Sequence, residues 1–187
     1  MFKSNNLWHL GGFFPIFLAL TVINIPVTPA TIPVKKIVQN QSLLATLADG
    51  NYQLCSQPDP QTWQDGAGIC ANFAKIGNRI DGYYGYPHSS EFICIKGEVK
   101  GNQIAGEALA VSWASHEVIN IPESAFTWDT EERLTLDQGS ILRTVDQVDG
   151  RIDWIKFNSA LLNLEGFYQY PSPRMTPPAQ ICDWNPK

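Results

Sequence analysis

The chain has 187 residues, a formal net charge of −5, 44% hydrophobic residues, 13 prolines, 14 glycines and four cysteines. An acidic surface repels phosphate backbones and anionic lipid, which argues against nucleic acid as a partner. The length bounds the chain to one domain able to bury a core without a structural metal.

The opening residues, 1–30, have a short polar start with Lys3, an apolar stretch from Gly11 to Val27 and a small residue, Ala30, where a signal peptidase would cut. This pattern predicts a secretory signal peptide. Pro15 and Pro26 confine the apolar run to about 17 residues, the lower limit for a spanning helix, so no stable membrane insertion is expected once it is cleaved. The expected location is therefore the periplasm or the extracellular space. All four cysteines, Cys55, Cys70, Cys94 and Cys182, lie in the exported part, where an even count favours two disulfides. No Cys-x-x-Cys pair exists, and His88 and His116 sit far from any cysteine in sequence, so neither a zinc site nor any other metal or cofactor is expected.

Residues 31–48 read as a linker with a short helix, Ser42 capping it and Gly50 stopping it. A β domain is expected over 49–170. Ile69–Gly82 and Ile93–Gly106 share Ile-Cys, then Gly-Asn seven residues after the cysteine, then Ile and Gly. Within the second copy Ile93, Ile95, Gly97 and Val99 alternate with Cys94, Lys96, Glu98 and Lys100, a period of two that means strand. Gly-Asn is a two-residue hairpin turn with glycine first. The implied register pairs Lys100 with Gln103 and Ile95 with Ala108 in one copy, and Ile76 with Arg79 and Phe73 with Gly82 in the other. The motif is thus a hairpin written twice.

Further along, 128–133 reads as a third hairpin connection and Asp149-Gly150 as a type I′ turn. Strands are expected near 51–56, 69–76, 79–86, 91–100, 103–113, 124–128, 133–137, 140–145 and 151–157, with 161–168 open between strand and helix turn. Residues 171–187 hold five prolines and read as an irregular strap. Short antiparallel strands joined by tight turns predict an all-β fold, an up-and-down β-barrel of 8–10 strands, with a two-sheet sandwich as the alternative. Of the three possible cysteine pairings, Cys55–Cys70 brackets the 56–68 loop and leaves Cys94–Cys182 to pin the tail.

The segments DGNYQLC, GNRIDGYYGYPHSSEFICI and GNQIAGEALAVSW together resemble a group of small exported cyanobacterial proteins, a likeness that covers roughly residues 49–170 and brings no activity with it. A looser similarity is to the calycins, the lipocalin-like barrels, which open with a short helix and Gly-x-Trp. Here that stretch is Gly50-Asn51-Tyr52, without the tryptophan. This likeness implies a ligand-holding barrel.

Asp146, Asp149 and Asp153 around Gly150 do not make an EF-hand, because its third and fifth positions would be Val148 and Gly150. No Gly-x-Ser-x-Gly elbow is present, and no local pattern marks a carboxylate pair, with Glu107 expected on the polar face of its hairpin. A non-catalytic, monomeric binding protein is therefore the leading expectation, taking a small amphipathic ligand or a protein partner at the open end of the barrel. An envelope hydrolase acting on carbohydrate or peptide, and a structural or inhibitory module without a cavity, are the alternatives. In a meander the tight turns at 77–78, 101–102, 129–132 and 146–150 gather at one end. The longer links then gather at the other, which gives Trp63, Tyr86, His88 and His116 as candidate ligand-binding residues.

Overall fold

The computed structural model describes residues 35–36, 43–60, 62, 66–114, 120–148 and 150–185. The expected signal peptide falls outside them. Among the described residues ten antiparallel strands form one sheet that curls into a half-barrel. They are β1 (Lys35–Lys36), β2 (Gly50–Cys55), β3 (Cys70–Ile76), β4 (Arg79–Gly85), β5 (Phe92–Lys100) and β6 (Gln103–Ala114), followed by β7 (Phe126–Thr127), β8 (Leu134–Gln147), β9 (Gly150–Asn163) and β10 (Tyr168–Gln169). A single helix turn, α1 (Leu43–Thr46), precedes β2. The described residues form one sheet and no second layer faces it, so the sandwich alternative does not describe them.

The doubled hairpin falls where alternation and turn chemistry put it. Lys100 stands across from Gln103, Ile95 from Ala108, Ile76 from Arg79 and Phe73 from Gly82. Gly77 and Gly101 carry φ of 58° and 67°, while neither following asparagine is left-handed, as a turn with glycine at its first central position requires. Gly82 answers a close approach: a Cβ there would lie 2.4 Å from the Phe73 Cβ. Period-two alternation then sends Phe73, Ile80, Tyr84, Ile93, Ile95, Ile104, Ala108, Phe157 and Leu162 to the concave face, where they form the main core with Leu44 and Phe167.

The sequence order of a meander holds from β2 to β6 and then breaks. The sheet continues as β9, β8, β7, because β9 pairs along the whole of β6. Ala114 stands across from Arg151, so the β8–β9 turn lies at the end opposite Gly77-Asn78 and Gly101-Asn102. This corrects the expectation that the 146–150 turn joins the other tight turns. The 128–133 connection also moves. Its register starts from the turn end, since Leu134 faces Leu162 and Leu162 faces Ile104. The curl of the sheet nevertheless carries it to β2 and β4, where the Ser56 hydroxyl donates to Glu131 Oε1 at 2.8 Å. Residues 133–137 and 140–145, expected as two strands, are one strand with a bulge near Leu142. The ambiguous 161–168 stretch continues β9 to Asn163, turns, and starts β10 beside Cys55.

Both disulfides have the expected pairing, Cys55–Cys70 and Cys94–Cys182, with Cα separations of 4.1 and 5.7 Å. All four sulfurs lie on the convex side. Cys94 there joins Tyr83, Leu109, Phe92 and Trp154 in a second apolar cluster, covered by Met175, Ile181 and Trp184 of the strap.

Candidate functional site

The concave side is filled. The void bounded by Phe73, Ile80, Ile95, Ile104 and Leu162 measures about 10 Å³, too little for more than one water. A roomy groove of about 1100 Å³ lies on the convex side, between the sheet, Pro60 and residues 66–68, the β4–β5 link and the strap.

Its floor comes from the outward-facing positions Gln53, Tyr83 and Phe92 on three strands, one rim from Tyr86, Pro87 and His88, and the other from Tyr170, Met175, Thr176 and Ile181. Gln53 and Asn72 are buried polar residues at positions where period two alone would leave them in water. The strap explains them. Gln53 Oε1 accepts from the Arg174 N–H at 2.7 Å, and Asn72 Nδ2 donates to the Thr176 carbonyl at 2.8 Å. The Tyr83 hydroxyl donates to the same carbonyl at 2.8 Å. Farther along, Cys182 is tied to Cys94, Trp184 Nε1 donates to Asp81 at 3.4 Å, and the Lys96 ammonium sits 4.3 Å above the Trp184 ring.

The tyrosines of the groove are anchored through their hydroxyls. Tyr170 donates to the Gln57 and Pro58 carbonyls at 3.2 Å, and Tyr86 shares a 3.2 Å bond with Thr130. Burial raises the Tyr83 phenol above its ordinary pKa, opposed by the Asn72 hydrogen bond. Burial first, and then the Asp59 charge, push Tyr170 up to about 12, with Arg174 pulling the other way. The Tyr83 and Tyr170 phenols therefore stay neutral across physiological pH. Arg174 pairs with Asp59, so its charge on the rim is already matched. His88 has a left-handed backbone, φ 62°, in a link braced by Ser89, whose hydroxyl donates to the Tyr86 carbonyl and accepts the Glu91 N–H. Such a conformation is uncommon outside glycine and costs of order 1 kcal/mol or more, so the surrounding link must hold it in place.

Of the four candidate residues, Tyr86 and His88 line this groove. Trp63 and His116 lie outside the described residues, although Pro60, Gly66 and Ala67 of the loop that carries Trp63 do line it. The sequence reading expected the strap and its tie to Cys94, but not that the strap walls the site. Arg174, Met175, Thr176 and Ile181 supply a whole wall, and the signal that could have found them was the pair of polar residues, Gln53 and Asn72, beside the outward-facing Cys55 and Cys70. Glu107 takes no part in the groove. It meets Lys156 at 2.9 Å and Lys96 at 3.6 Å on the polar face where its hairpin register placed it.

Among the described residues no group of three or more His, Cys, Asp or Glu side chains could hold a metal ion. No described helix is long and apolar enough to cross a membrane. No protein-family model, curated protein or solved structure matches the chain.

Proposed function

We propose that this chain is an exported binding protein that holds its ligand in the convex-face groove rather than inside the barrel. The observation that carries the reading is the contrast in space: about 1100 Å³ under the strap against about 10 Å³ in the core. Ligand pockets are mostly apolar clefts of several hundred Å³ with a few placed polar groups, and this groove has that composition. Two disulfides suit an oxidising compartment. The Tyr83, Tyr86 and Tyr170 rings are held by intramolecular hydrogen bonds, so little side-chain entropy is lost when a ligand packs on them.

The test is native mass spectrometry on protein purified from its own compartment, beside a Tyr86→Ala/His88→Ala variant that still melts cooperatively. Wild type should retain a mass that the variant loses. A retained mass untouched by the variant would move the site elsewhere. A bare protein that also binds nothing in a fragment screen would end the proposal.

A further inference from the structure

The groove's chemistry restricts its ligand. Tyr83, Tyr86 and Tyr170 spend their hydroxyls on Thr176, Thr130 and the Gln57–Pro58 carbonyls, and Arg174 is paired with Asp59. What these side chains still offer is ring surface, joined by Phe92 and Met175. A sugar or a small anion would need hydrogen-bond partners that this surface has already committed.

One extended chain already lies on the same surface. The strap carries Pro171, Pro173, Pro177 and Pro178 within eight residues, and each proline holds the residue before it in an extended conformation. Pro177 has φ −55° and ψ 137°, the polyproline II region. The strap is held through its backbone, with Arg174 N–H on Gln53 and Thr176 C=O on Tyr83 and Asn72. Domains that read polyproline II segments use the same means, namely fixed aromatic rings flanked by a few donors aimed at carbonyls.

We infer that the part of the groove beyond the strap, across Phe92, Tyr86 and His88, takes an extended proline-rich peptide of a partner protein, laid beside the strap that is its intramolecular counterpart. This rests on the groove being a binding site. The test uses the full oxidised protein and fluorescence anisotropy with a labelled twelve-residue peptide of Ala-Pro-Pro repeats. A Gly-Ser peptide of equal length and dodecyl maltoside as competitor serve as controls. The proline peptide should bind saturably, at least tenfold tighter than the Gly-Ser peptide. It should lose at least tenfold in Tyr86→Ala, with Phe92→Ala as a second variant and thermal melts confirming the fold. Equal affinity for the two peptides, or binding unaffected by both variants, overturns the inference. If the proline peptide fails to bind while dodecyl maltoside binds wild type and not Tyr86→Ala, the peptide inference falls and the groove reading stands. If neither binds, both fall.

Discussion

Replacing Cys94 and Cys182 with alanine should have two consequences of different kinds. Their bond closes 88 residues, against 15 for Cys55–Cys70. In the chain-entropy model the long loop contributes about 4.6 kcal/mol and the short one about 3 kcal/mol. With a urea m-value of about 2 kcal/mol/M, the midpoint should fall by roughly 2 M for the Cys94/Cys182 pair and roughly 1.5 M for the Cys55/Cys70 pair. The second consequence is local. No residue from Pro171 to Asn185 is fully buried, so the strap relies on the half-buried contacts of Met175, Ile181 and Trp184 and on hydrogen bonds worth about 1 kcal/mol each. Against them stands an ordering cost of about 1 kcal/mol or more per residue. Without the covalent tie it should leave the sheet, and the groove should lose its wall. Denaturant melts of both double variants give the first readout, and trypsin cleavage after Arg174 under native conditions gives the second. A larger loss from Cys55/Cys70 than from Cys94/Cys182, or an Arg174 bond that stays resistant once Cys182 is gone, would refute the reasoning.

Tyr84→Phe should not destabilise the protein in thermal or urea melts, because the buried hydroxyl has only a poorly placed contact with Asp129 in place of a well-formed hydrogen bond. Burial and the neighbouring Asp129 charge hold its phenol far above the ordinary range; a loss of stability would show that the hydroxyl is satisfied after all. Gly82→Ala should cost about 2–3 kcal/mol, since its Cβ would meet the Asn72 carbonyl oxygen and the Phe73 Cβ at 2.4 Å, and an unchanged melt would contradict the register. Asp153 is held below the ordinary carboxyl range by the Thr144 hydroxyl and then by Arg151, whose Nε lies 2.9 Å from both its oxygens. A depressed folded pKa gives stability that is complete above the unfolded value of 3.8 and is lost as pH falls through the folded one. The gap between wild type and Asp153→Asn should therefore narrow from pH 7 to pH 2.5, and a constant gap would rule this linkage out.

The legible part of the fold was the part written in local rules. Alternation plus Gly-Asn placed β3 to β6 to within a residue or two, and bracketing gave the disulfides. What the sequence hid was set by non-local pairing. Nothing in 134–163 says that β9, rather than β7, lies against β6, because either order buries the same apolar face. The 146–150 turn consequently went to the wrong end. The candidate site was half visible for a related reason. Tyr86 and His88 stood out as polar aromatics in a link, whereas the strap residues lie more than 80 positions from the Gln53, Asn72, Tyr83 and Phe92 they meet, and sequence has no short-range signal for such a contact. The likeness to ligand-holding barrels pointed inward, yet Phe73, Tyr84, Phe157 and Phe167 fill that space.

The most direct measurement is an assigned amide NMR spectrum of the oxidised protein, recorded during titration with a library of neutral amphipathic fragments and proline-rich peptides. The account predicts that the shifts of every binder cluster on Tyr83, Tyr86, His88, Phe92, Met175 and Ile181. Shifts centred instead on the concave residues Ile95, Ile104 and Leu162 would contradict it.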